Sequence, residues 1–171
     1  KTVELWFNAP AITTDRAVLY EQGGNTRGIN LYLEEIGGVD TLLMGVWNLA
    51  ESNWGPSFVS APVNEGESYH AVFVLEGDPD NDDGTDDGSV LGYLNAVSLG
   101  SAGPAGNLRG HSNDNAALGI DENVRYADGS TQGDGANFDG FLDEVALYNT
   151  VLSEDRVRAH FFAATVVPEP A

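Results

Sequence analysis

Apolar and polar side chains alternate along much of this chain with a period of two. In Thr2-Val3-Glu4-Leu5-Trp6-Phe7-Asn8, one face carries Val3, Leu5 and Phe7 and the other carries Thr2, Glu4, Trp6 and Asn8, which predicts a half-buried strand. After Pro10, further strands are predicted at residues 17–20, 28–34 and 41–49. Gly23-Gly24-Asn25 and Gly37-Gly38 supply turn signals between them, as in successive antiparallel hairpins. Tyr69-His70-Ala71-Val72-Phe73-Val74-Leu75-Glu76 is apolar on both faces in its middle, the mark of a central strand covered on each side. Another strand follows at 90–97. Residues 100–135 are rich in Gly, Asn, Asp and Ser and read as long loops around short islands at 116–120 and 124–126. A strand is predicted from Phe138 to Tyr148. Leu152-Ser153-Glu154-Asp155 opens a short helix, with Ser153 at the cap and two acids facing the positive end of the helix dipole. Phe161 to Val167 reads as a last strand. These elements describe an all-β chain with one short C-terminal helix.

Composition adds constraints. At 171 residues with 42% hydrophobic content, the chain suits one domain with a substantial core. Lys and Arg total 7 against 27 Asp and Glu, a net charge of −20; such a surface repels phosphate backbones and anionic lipid, arguing against nucleic acid as a partner. With no cysteine, there are neither disulfides nor thiolate-held zinc. No apolar run approaches the roughly 20 residues that span a bilayer, so membrane insertion of this stretch is not expected.

The same acidity attracts hard divalent cations, and Ca²⁺ is the cofactor it suggests. Six aspartates lie between Asp78 and Asp87, and Asp78, Asp80 and Asp82 place carboxylates on alternate residues. The loop is not an EF-hand, because Asp83 and Ser89 stand where a glycine and a bidentate acid belong. A solvated acidic hairpin tip is the competing reading. Asp139 and Asp143, flanking Gly140, form a second candidate metal pair, against turn capping and a bulge bond for the same two residues.

Catalytic signals are weak. Glycosidases need two carboxylates facing one cleft, whereas Asp143 and Glu144 are adjacent and point to opposite faces unless a bulge intervenes. His70, His111 and His160 lie about forty residues apart without a nucleophile motif. His70 is expected to be structural and His160 to sit on the helix surface, while His111 lies in a loop. No enzyme is expected. Trp47, Trp54, Tyr20 and Tyr126 are the aromatics that could either stack on a sugar or fill the core, and Trp54, in the loop-like Glu51-Ser52-Asn53-Trp54-Gly55-Pro56, is the predicted ligand contact.

Phe138-Asp139-Gly140-Phe141-Leu142-Asp143-Glu144-Val145, continued by Tyr148-Asn149 and Leu152-Ser153, resembles the C-terminal signature of the laminin-G-like, concanavalin A-like lectin/glucanase family. Thr2 to Phe7, Tyr69 to Val74 and Tyr93-Leu94-Asn95-Ala96 resemble further family segments in the same order. The resemblance implies a two-sheet antiparallel jelly-roll sandwich over residues 1–167, with a structural Ca²⁺ near its rim. Ala96 replaces a customary turn glycine, which shifts the positive-φ position towards Asn95. The family usually has a strand before the Thr-Val-Glu segment, and only Lys1 precedes it here; either the chain was trimmed there, or a strand edge is left open and available for strand addition by another copy. The tail at 168–171, within Val166-Val167-Pro168-Glu169-Pro170-Ala171, resembles the start of a PEP-CTERM sorting signal. That resemblance implies an exported protein at the surface of a Gram-negative bacterium, trimmed from a longer chain. The resulting expectation is a secreted, calcium-associated recognition or adhesion module for polysaccharide or a surface protein. The alternative is a self-assembling matrix protein completed by strand exchange.

Overall fold

Two five-stranded antiparallel sheets carry the chain in the computed structural model, which describes residues 1–13, 15–50, 54–78, 87–108, 116–120, 123–132 and 136–165. The strands are β1 (Thr2–Asn8), β2 (Ala17–Gly23), β3 (Arg27–Ile36), β4 (Val39–Asn48), β5 (Trp54–Pro62), β6 (Ser68–Glu76), β7 (Gly88–Leu94), β8 (Val97–Ala105), β9 (Ala116–Leu118), β10 (Val124–Arg125), β11 (Thr131–Gln132) and β12 (Phe141–Tyr148), followed by helix α1 (Glu154–Thr165). The first sheet has the order β12-β1-β6-β7-β8 and the second β5-β4-β3-β2-β9; β10 and β11 form a separate hairpin.

The alternation in β1 sends Val3, Leu5 and Phe7 inward, where they meet Leu31, Leu33, Met44, Ala71 and Phe73 in the core between the sheets. Outside the second sheet, Val124, Tyr126 and Ala136 cover Val18, Tyr32 and Trp47. Arg16 pins that cover: its guanidinium lies 4.1 Å from the Tyr126 ring centre and bonds Asp128 and Glu34 at 2.7 and 3.2 Å. On the opposite flank, α1 lies over the outer face of the first sheet, burying Val157 against Val72, Val74 and Tyr93. This is why β6 is apolar on both faces.

Several expectations are met in detail. The β3–β4 turn uses Gly37 and Gly38 at φ 61° and 83°. Asn95 and Ala96 join β7 to β8 at φ 50° and 63°, so the positive φ extends to both residues, as a type I′ turn requires. Ser153 starts α1, its carbonyl accepting from Arg156 and Val157.

Others are corrected. The segment predicted as a final strand from Phe161 belongs to α1 up to Thr165; residues 166–171, including the tail, lie outside the described residues. The start of β5 and most of β8 occupy stretches that read as loop, and the rest of β5 follows where no strand was predicted. The first strand is not an open edge: β1 pairs with β6 on one side and β12 on the other, because the last strand folds back to occupy the place beside it.

Candidate functional site

The outer face of the first sheet is polar by parity at Thr2, Glu4, Trp6 and Asn8, and α1 roofs only part of it. A groove runs between the C-terminal half of α1 and strands β1 and β12. One section, about 470 Å³, is lined by Trp6, Asn8, Ser68, Phe141, Asp143 and Glu144, with Ala164 on the helix side. The adjoining section, about 420 Å³, shares Trp6, Glu144 and Ala164 and continues along Glu4, Tyr148 and His160. Both volumes fall within the roughly 300–1,000 Å³ of ligand clefts. Ala163 and Ala164 leave the space open where larger side chains would fill it.

A β-bulge shapes the wall. Glu4 pairs with Ala146 and Trp6 with Asp143, so Leu5 alone opposes Glu144 and Val145. Glu144 sits at φ 47°, a left-handed conformation that costs a non-glycine residue about 1 kcal/mol. The bulge sends Leu142 and Val145 both towards the core and brings the Asp143 and Glu144 carboxyl groups to the same groove. This is the bulge under which two adjacent acids escape opposite faces, since an inserted residue breaks strict alternation. Asp143 Oδ1 accepts the Glu144 N–H at 2.8 Å. Gly140 sets the approach to the groove: a Cβ there would lie 2.5 Å from the Asn8 carbonyl oxygen.

Under the helix, the structure assembles a cluster that sequence spacing concealed. Glu4 is only 5% exposed. His70 Nε2 donates to its Oε1 at 2.7 Å, and His160 Nδ1 lies 3.1 and 3.0 Å from Oε1 and Oε2. Burial pushes the Glu4 carboxyl up, but hydrogen bonds from His70, His160 and Tyr148 outweigh it and hold the group down at about 2. An ionised carboxylate only accepts, so both ring nitrogens facing it carry hydrogen. His70, 1% exposed, is structural as expected, and its Nδ1 is buried without a hydrogen-bond partner. His160 is not a free surface residue: it is half-buried in the clasp. Trp6 stacks on Phe161 at 5.8 Å and 11°, with His70 tilted beside it at 5.0 Å.

The predicted contact residues fare differently. Trp54 is in β5, 3% exposed and part of the core, so its ring offers no face to a ligand; Trp47, Tyr20 and Tyr126 are likewise buried. Trp6, standing on the polar face of an amphipathic strand, was the available signal for the aromatic side of the groove. Asp139 and Asp143 are exposed, and among the described residues no three His, Cys, Asp or Glu side chains converge as a metal site; the pair alone does not fit the six to eight oxygens Ca²⁺ takes. Asp78 is buried at the end of β6, its carbonyl accepting from Asn107 Nδ2 at 3.0 Å. Asp80, Asp82 and His111 lie outside the described residues.

Two antiparallel five-stranded sheets with one C-terminal helix are the architecture of the jelly-roll sandwich class. The Concanavalin A-like lectin/glucanases superfamily matches residues 1–158, and the chain belongs to it. No curated protein sequence matches. Among solved structures, the chain is similar to domain 4 of AbnA, a GH43 extracellular arabinanase from Geobacillus stearothermophilus, in complex with arabinotriose. That match has 20% identity and a TM-score of 0.57, and covers 92% of this chain and 64% of that one. It is also similar to the receptor-binding domain of botulinum neurotoxin type G, with 9% identity and a TM-score of 0.59 over 95% of this chain and 38% of that one. These likenesses concern the fold, and the chain spans less than two thirds of either structure.

Proposed function

We propose that the protein is a non-catalytic extracellular recognition or adhesion module that takes a polysaccharide or a surface protein in the groove beside α1. The groove itself carries the reading: aromatic Trp6 and Phe141 adjoin polar Asn8 and Ser68 and two carboxylates. Apolar surface with a few fixed polar groups is the usual constitution of a small-ligand site. Asn8 is already positioned, its amide donating to the Gly66 carbonyl and Ser68 Oγ at 2.8 and 3.1 Å. The arabinotriose complex of a structurally similar domain supports a carbohydrate ligand. Calcium belongs to this reading through the acidic sequence between β6 and β7, with Asp78, Asp80 and Asp82. A glycan array and polysaccharide pull-down, each with and without chelator, test it: retention lost with chelator is expected. Turnover of β-glucans that disappears on replacing Asp143 or Glu144 would overturn the non-catalytic assignment.

One observation favours a second reading, self-assembly by edge pairing. β12 is an edge strand carrying Leu147, which is largely exposed, and unpaired edges accept further strands. Concentration-dependent polymers seen by light scattering would support it.

A further inference from the structure

We infer that the ligand is a neutral glycan, with Phe141 as the platform for a sugar ring and Glu144 as the acceptor that reads its hydroxyls. The inference rests on the recognition reading above and deepens it. Three observations converge on these two residues.

Phe141 is 71% exposed at the mouth of the groove. A large aromatic left to solvent beside polar side chains is out of keeping with a core role, and its π-face suits the apolar face of a sugar. Trp6, by contrast, is already stacked on Phe161 and serves as the fixed wall behind it.

The three carboxylates of the groove are unequally committed. Glu4 is held by two histidines, and Asp143 gives one oxygen to the Glu144 amide. The Glu144 carboxylate makes no hydrogen bond or ion pair among the described residues, yet it occupies a left-handed position where glycine would be free of strain. Strain of this kind at a bulge re-aims a side chain, and it concentrates where function requires the residue. An ionised carboxylate presents two oxygens and accepts from two neighbouring hydroxyls at once.

Among the described residues neither section of the groove is lined by Lys or Arg, and the whole chain bears −20. The acidic field opposes uronates, sulfated sugars and phosphorylated sugars. A basic peptide would meet the acids favourably, but Phe141, Asn8 and Ser68 offer it no further charge, whereas a neutral sugar uses both the exposed Phe141 ring and the uncommitted Glu144 carboxylate.

The test is calorimetric titration with neutral chains (arabinan, xylan, mannan, β-glucan), an anionic chain (polygalacturonate) and an oligolysine probe, at low and at physiological salt. The wild-type protein is expected to bind at least one neutral chain with little salt dependence and to ignore polygalacturonate. Phe141→Ala and Glu144→Gly should each weaken that binding at least tenfold, Glu144→Gly with an unchanged or raised melting temperature because glycine suits the bulge. Neutral binding unaffected by both variants overturns the assignment of the site and leaves the recognition reading standing. Equal binding of polygalacturonate overturns the neutral class. Salt-sensitive binding of oligolysine alone, with no glycan bound, overturns both readings.

Discussion

Glu4 shows how one side chain couples strand to helix. Its folded value of about 2 lies below the ordinary 4.5, so its contribution to stability is fully present above about pH 4.5 and vanishes as the pH falls towards 2. The shift corresponds to about 3 kcal/mol. Chemical denaturation at pH 5 and pH 2 should show that loss in the wild-type protein and a smaller one in Glu4→Gln, which at neutral pH should be less stable by a similar amount because two histidine N–H groups lose their anion. At Ala96, φ 63° penalises a Cβ, and Ala96→Gly should raise stability by about 1 kcal/mol, read as a higher denaturation midpoint at unchanged slope.

Among the elements, α1 is held by few contacts. Val157 is its one fully buried side chain, and Phe161 lies on Trp6 and His70. Val157→Ala should cost about 2 kcal/mol. Phe161→Ala should shift Trp6 fluorescence to the red as solvent reaches the indole. The sequence showed β1, β3, β4, β6 and the start of α1 because their apolar periods and turn glycines agree with the fold. β5 and β8 were hidden by Pro56, Pro62, Gly100, Gly103 and Pro104, residues that punctuate loops. The end of α1 read as a strand because Phe161-Phe162 lead into Ala163-Ala164-Thr165 without polar alternation. The site was legible only in outline: Asp143 and Glu144 were visible, but their shared groove depends on a bulge that no local pattern announces, and the Glu4 clasp joins residues 66 and 156 positions apart.

For the molecule as a whole, charge is the pervading term. With −20 distributed over 171 residues, self-repulsion opposes the folded state, and salt screens it over roughly 10 Å at 0.1 M. Scanning calorimetry should show the melting temperature rising as NaCl increases from a few millimolar to about 0.15 M.

The placement of β1 between β6 and β12 also sets a timetable. During synthesis, residues 2–8 emerge before either neighbour, and the partner on one side arrives only with residues 141–148. Until then a strand of alternating apolar character stands with one flank bare, exposed to whatever strand passes by. Nascent chains arrested before Phe141 should therefore be captured by holding chaperones, and release should follow once the closing strand has cleared the ribosome.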